Sequence, residues 1–272
     1  MILNYLGEVI FLELSTVVGV VVAVGALLVA MFLKGVPYGM LLNGPAIALI
    51  IFGTIGAILN AFPMKEIKNV GKLFGNVFKS SKAGGDKFET IKLFVEYAQI
   101  VRKDGILAIE KRLDELTNLF IKRGMTLLVS GVKSSEIETV LLDDISAMEK
   151  RHAGNATVFS QAGTYAPTLG VLGAVLGLIA AMANMDDQEK LAHAIAAAFI
   201  ATMYGIFTGY VLWHPFGNKL KRKSREEALH NEIVVAGVLA LANGDPPYLV
   251  QDKLLSYLSQ REKDQFTASM GV

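Results

Sequence analysis

Cysteine is absent from all 272 residues, which excludes disulfides, thiolate metal sites and thiol nucleophiles. Net charge is also nearly absent, at +1 from 26 Lys and Arg against 25 Asp and Glu, so nothing marks the chain as a binder of nucleic acid. Charged residues make up only 19% and apolar ones 53%. Ordinary globular domains hold about 25% charge and about 45–50% apolar residues, so the balance is shifted toward the membrane class.

The missing charge is concentrated in four places. Residues 14–33, 35–64, 152–185 and 191–218 contain no Asp, Glu, Lys or Arg, giving runs of 20, 30, 34 and 28 residues. A helix rises about 1.5 Å per residue and needs about 20 apolar residues to cross a bilayer core, so each run is long enough to span. The spacing predicts spans near 14–33, 46–62, 162–184 and 194–215. Between the second and third runs, residues 65–151 pack 29 charges into 87 positions, which lipid would not accept. The last 15 charges run from Lys219 onward.

The expected fold is therefore an all-α membrane protein with four transmembrane helices and a helical aqueous domain inserted between the second and third. Its segments are an N-terminal stretch (1–13), a first helix pair (14–62), the inserted domain (63–160), a second helix pair (161–216) and a C-terminal helical tail (217–272).

Orientation follows from Lys and Arg near the span ends. Lys65, Lys68, Lys72, Lys79 and Lys82 follow the second span, and Lys219, Lys221, Arg222, Lys223 and Arg225 follow the fourth. The short connections hold only Lys34, or Asp186, Asp187, Glu189 and Lys190. Both termini and the large insert are thus expected on the cytoplasmic side. Met1 to Glu13 has no basic region ahead of its apolar residues, so no cleaved signal peptide is expected. Ile2, Leu6, Val9 and Ile10 suit either a helix on the membrane surface or an extension of the first span.

Leu93, Tyr97, Ile100 and Val101 recur at helical spacing, as do Ile106, Ile109, Leu113, Leu116 and Phe120, and then Ile137, Val140, Leu141, Ile145 and Met148. Gly84, Gly85 and Asp86 form the expected break, and a tail helix is expected after the turn at Gly244 to Pro247.

Catalytic signals are missing: no Ser-His-Asp arrangement, no glycine loop for phosphate and no convincing metal cluster appear, so neither an enzyme nor a cofactor is expected. Asp186, Asp187, Glu189 and His193 read as a solvated loop. His152, His193, His214 and His230 stand alone in the sequence and read as spectators. No span holds an Asp, Glu, Lys or Arg, although an ion path commonly displays one. Either the chain carries no ions or a partner brings the carboxylate.

Small residues dominate the last two spans. Gly170, Gly173 and Gly177 form one stripe with Ala174, and Ala197, Ala201, Gly205 and Gly209 another, with Thr202 nearby and Pro215 at the end. Such faces admit another helix closely, whether a partner's or that of an identical subunit. Pro167 removes a backbone donor and is expected to bend its helix, with the Thr164 and Thr168 hydroxyls taking up freed carbonyls. Trp213 reads as an interfacial anchor. Arg102 and Glu110, eight residues apart, would share a face if helical and otherwise read as ordinary solvated charges.

The runs QAGTYAPTLGVLGAVLGLI (161–179) and ATMYGIFTGYVLWHP (201–215) closely resemble the MotA family, the A subunit of the bacterial flagellar stator. The likeness extends through NAFPMKEIK (60–68) and RKDGILAIE (102–110) and covers nearly the whole chain. The resemblance implies an inner-membrane, ion-driven motor in which several A subunits, embedded in membrane lipid, surround two copies of MotB. MotB would supply the missing aspartate, and the cytoplasmic domain would push the rotor protein FliG. It also implies roles by position: Pro167 and Pro215 as functional prolines, Thr202 on the ion path, and Arg102 and Glu110 against FliG. Ala174 stands where sodium-driven relatives commonly have Thr, and a methyl offers sodium no oxygen, so the expected ion is H+. The competing expectations are an ExbB or TolQ type energiser of envelope transport and a non-conducting scaffold.

Overall fold

The computed structural model describes residues 13–79 and 85–269. The N-terminal stretch up to residue 12, with its surface-helix expectation, lies outside the described residues, as does Gly84 of the expected break.

The regular structure is helical, in the order α1 (Leu14–Leu33), a 3-10 turn (Tyr38–Leu41), α2 (Gly44–Ala61), α3 (Met64–Ile67), α4 (Val70–Phe78), α5 (Lys87–Asp104), a 3-10 segment (Ile106–Glu115) and α6 (Leu119–Val129). There follow α7 (Ser134–Met182), α8 (Gln188–Phe207), a π-helical segment (Thr208–Trp213), α9 (His214–Ala242), α10 (Pro247–Leu255) and α11 (Gln260–Ser269). Short polar side chains set the starts. The Asn43 carbonyl accepts from the Ala46 amide at 3.0 Å at the head of α2, and Asp86 and Asn118 cap α5 and α6 in the same way.

The chain divides into two compact units, one from residues 1–81 with 152–222 and one from 82–151 with 223–272. Among the described residues four helices of the first unit are long and apolar enough to cross a membrane, at Leu14–Leu33, Tyr38–Ala61, within Ser134–Met182 and within Gln188–Ala242. Helix α1 buries only Met31, while Val21, Val22, Phe32 and Leu33 are 63–77% exposed. An apolar helix open on nearly every side is stable where the surrounding medium is itself apolar, which is the condition inside a bilayer.

The second unit is built like a water-soluble domain. Ile91, Phe94, Ile109, Met125, Ile137, Leu141, Ile233, Val238, Leu241, Val250 and Leu254 are fully buried in one core. The Phe94 ring lies flush on the α9 backbone: a Cβ at Gly237 would fall 2.6 Å from the ring. Burying such a ring contributes roughly 2–3 kcal/mol.

Helix α11 is fastened to α5 by a Lys87–Glu262 ion pair of 3.1 Å and by the edge-on Phe88–Phe266 contact. The hydroxyl and amide of Ser259 both donate to Glu262, which with Lys87 hold its carboxyl down at about 2, from an ordinary 4.5. A depressed carboxyl stabilises the fold above its unfolded pKa and loses that contribution as pH falls from 4.5 to about 2. With a third of the side chain in water the contribution is about 1 kcal/mol. Glu262→Gln is therefore expected to lower the melting temperature near neutral pH and to leave it nearly unchanged below about pH 2; an equal loss at both would contradict the linkage.

Candidate functional site

The last two spans meet along a seam so close that glycine backbones touch. A Cβ at Gly177 would lie 2.8 Å from the Ala198 Cβ, one at Gly173 2.7 Å from the Ala201 Cβ, and one at Gly170 3.0 Å from the Ala201 carbonyl. From the other side, a Cβ at Gly205 would lie 2.5 Å from the Ala166 carbonyl, and one at Gly209 2.8 Å from the Gly163 carbonyl. Farther along, Gly217 meets the Ser160 hydroxyl at 2.8 Å by the same measure. The two small stripes thus pack against each other within one chain, where the sequence left them to a partner's helix or an identical subunit.

The seam also corrects one member of the stripe. Ala198, not Ala197, faces Gly177; Ala197 lines a groove of about 290 Å³ with Ala46, Leu49 and Gly173. Successive steps of four residues turn about 40° past a full revolution each, so a strict i, i+4 series drifts off one face. A step of seven, from Ala198 to Gly205, stays on it.

Pro167 lies inside α7, half-buried, and its ring carbons lie 2.9 Å from the position of a Gly209 Cβ. A proline in a helix leaves the carbonyl four residues earlier without its amide, here that of Gly163. Neither nearby hydroxyl takes it: Thr164 donates to Ser160 and Thr168 to Tyr165. The freed Gly163 carbonyl instead lies against Gly209. Thr202 is half-buried and donates across the seam to the Gly170 carbonyl at 3.4 Å and along its own helix to Ala198 at 3.3 Å. Both bonds are long for a hydroxyl, whose usual distance is about 2.7–2.8 Å, and its oxygen keeps acceptor capacity. Ala174 is half-buried on α7.

Pro215 is exposed at the start of α9, directly after the π-helical segment. The proline cannot donate to the carbonyl of Val211, and the wider turn spreads that loss over residues 208–213. Trp213 and His214 are less peripheral than the sequence suggests. Trp213 stacks at a tilt against Phe159, with ring centroids 6.2 Å apart, and the His214 ring lies on Gly163.

In the second unit Arg102 and Glu110 are both exposed, and among the described residues neither forms an ion pair. They do not share a helix face. Arg102 is in the last turn of α5, which stops at Gly105 with φ +83°, a conformation that L side chains rarely adopt. Glu110 lies in the 3-10 segment that follows. Neighbouring charges are engaged internally: Arg112 pairs with Glu96, and Lys122 with Asp114 at 2.9 Å, whose hydrogen bond holds the Asp114 carboxyl below its usual range.

His230 is no spectator either. It is 1% exposed, its Nε2 is 2.8 Å from the Thr90 hydroxyl, and burial pushes its pKa below the usual 6.5. Among the described residues no group of three or more His, Asp or Glu is placed to hold a metal ion. Asp187, in the acidic loop, caps α8 by accepting from the Lys190 amide.

Gly163, Ala198, Gly217 and the π-helical segment escaped the sequence reading. Gly163 and Ala198 carry a signal, as small residues seven positions before Gly170 and Gly205, and Gly217 lies eight beyond Gly209. The fourth is marked only by the proline behind it.

Comparison with known proteins agrees with this architecture. The MotA/TolQ/ExbB proton channel family profile matches residues 112–233, and the motility protein A N-terminal profile matches residues 17–105. Motility protein A of Bacillus subtilis (strain 168) is 47% identical over 94% of each chain. The flagellar MotAB stator complex from Bacillus subtilis contains a chain with TM-score 0.86 and 48% identity, covering 92% of this chain and 98% of that one. The C. jejuni MotAB structure gives 0.86 and 31%, over 91% and 96%. With membrane-length helices, a seam of small residues and similarity along nearly its whole length, the chain belongs to the motility protein A branch of the MotA/TolQ/ExbB proton channel family.

Proposed function

We propose that this chain is the A subunit of a flagellar stator that, together with MotB, conducts protons across the bacterial inner membrane and turns their flow into torque on FliG. One observation carries the reading: the seam joins two apolar spans by backbone contact and offers hydroxyls and freed carbonyls but no Asp, Glu, Lys or Arg. Such a pair of helices can line a path but cannot bind and release a proton at mid-membrane without a carboxylate from elsewhere. A single-span MotB with an aspartate supplies it, and several copies of this chain around two of MotB would enclose it. Thr202, Pro167 and Pro215 are assigned to the path and its coupling, and Ala174 to the preference for protons over sodium.

Both termini and the second unit are assigned to the cytoplasm on the distribution of Lys and Arg. There Arg102 and Glu110 are free to meet complementary charges on FliG. The chain is assigned no enzymatic step. An envelope energiser of the ExbB or TolQ type is disfavoured by the four spans and by the motility-specific N-terminal profile over residues 17–105.

The test is proton uptake by cells that make this chain with a MotB lacking its plug. Conduction that disappears when the partner's aspartate is changed to Asn supports the reading; absence of conduction favours a scaffold. Within the path, Thr202→Val removes the hydroxyl at nearly constant volume. Torque under load is expected to fall while the protein accumulates normally, and unchanged swimming under load would remove Thr202 from the path.

A further inference from the structure

The first unit contains an ion pair that neither the seam nor the rotor-facing charges use. Lys219 Nζ is 2.9 Å from Glu13 Oε1 and donates to the Ser15 hydroxyl at 2.9 Å, and both side chains of the pair are only about a quarter exposed, at 23% and 28%. Glu13 is itself a junction. Its amide donates to the Phe78 carbonyl at the end of α4 at 2.8 Å, and its carbonyl accepts the first amides of α1, from Thr16 and Val17. One residue therefore ties the end of α4 and the start of α1 to the first turns of α9. Beside it, Phe216 packs edge-on against Phe74 and Phe78, with centroids 5.6 and 5.4 Å away.

The α1 and α9 sides of this junction adjoin Pro215. Lys219 is one helical turn beyond the proline, Phe216 is the next residue, and Ser15, Thr16, Val211, Pro215, Phe216 and Lys219 line a common cavity of about 210 Å³. The helix is weakest there, because Pro215 lacks its amide and residues 208–213 are π-helical. The Thr16 hydroxyl is buried with no hydrogen-bond partner among the described residues. A pliable turn delivers force only if one of its ends is held.

We propose that the Glu13–Lys219 pair is the hold: a positioning clamp that fixes the turn at Pro215 during the power stroke. The proposal rests on the stator reading above. Removing one member of a partly buried pair leaves the other charge uncompensated, and each kcal/mol so lost shifts the population of the held state roughly fivefold.

Glu13→Gln, Lys219→Met and the exchanged pair Glu13→Lys with Lys219→Glu are compared in cells for membrane accumulation, for proton flow with an unplugged partner, and for rotation of a bead under high and low load. The single variants are expected to accumulate and conduct as the parent does, to turn normally at low load, and to lose rotation about fivefold at high load. The exchanged pair is expected to recover it, which a merely local packing defect would not do. Single variants that pull as strongly as the parent would overturn the clamp. So would an exchanged pair that accumulates normally yet rotates no better than the singles, including where the singles accumulate poorly. If the parent chain conducts nothing with its partner, the stator reading itself fails and the clamp falls with it.

Discussion

Gly205→Ala is expected to abolish motility and to lower the amount of protein in the membrane. The added Cβ would stand 2.5 Å from the Ala166 carbonyl, 2.9 Å from the Gly170 Cα and 3.1 Å from the Pro167 Cα. All three are backbone or backbone-bound atoms, so no side chain can rotate away and the helices must separate. Within lipid no hydrophobic force presses helices together, and close van der Waals contact is a main source of their association. Overpacking of this kind costs about 1–3 kcal/mol, and the displacement would pass along the seam to the Thr202–Gly170 bond, already 3.4 Å long. Gly25→Ala, where nothing lies within 4 Å of the new methyl, provides the comparison and is expected to swim normally. Immunoblots of membranes and swim-plate diameters report both. A Gly205→Ala strain that swims like its parent would mean that the seam has slack which the geometry denies.

Arg102→Glu is expected to stop rotation without stopping proton flow. The side chain is exposed, pairs with nothing among the described residues, and lies in the last turn of α5. Reversing a charge at a helix C-terminus costs about 0.5–1 kcal/mol, too little to unfold a domain with the core described above. The loss must then arise outside the chain, at a surface whose charge is complementary. Loss of about 1.4 kcal/mol at that contact is a tenfold weakening, enough to disable a motor that must grip under load. Proton uptake with an unplugged partner should match the parent, and a reversed charge on the rotor protein should restore swimming. Loss of conduction together with rotation would point to misfolding.

The charge-free runs locate the four spans, because lipid excludes charge and nothing else in a protein demands such runs. They do not locate the helix ends. The second span was expected from 46 and begins at Gly44, where Asn43 caps it; the fourth was expected from 194 and begins at Gln188, where Asp187 caps it. Hydropathy reports the apolar stretch, whereas a cap reports the helix, and both caps lie outside the stretch. The stripes of Gly and Ala were legible as close-packing faces, but spacing along one helix cannot say which other helix arrives. That each met the other follows from the turn geometry between α7 and α8, which no residue pattern announces. Arg102 and Glu110 were separable in advance: Asp104-Gly105 is a turn signal between them, and the helical spacing of Ile106, Ile109 and Leu113 belongs to a 3-10 segment, in which every third residue aligns. His230 was not separable, since one buried histidine among four looks like any other until Thr90 is seen 2.8 Å away.

The central claim is that this chain drives flagellar rotation. It is tested most directly by deleting its gene, along with any second stator set in the host, and then examining the cells for filaments and for swimming. Cells that assemble filaments of normal length and number but cannot turn them, and that regain rotation when the gene is returned, are the predicted result. Cells that swim normally would contradict the account and bring the envelope-energiser reading forward.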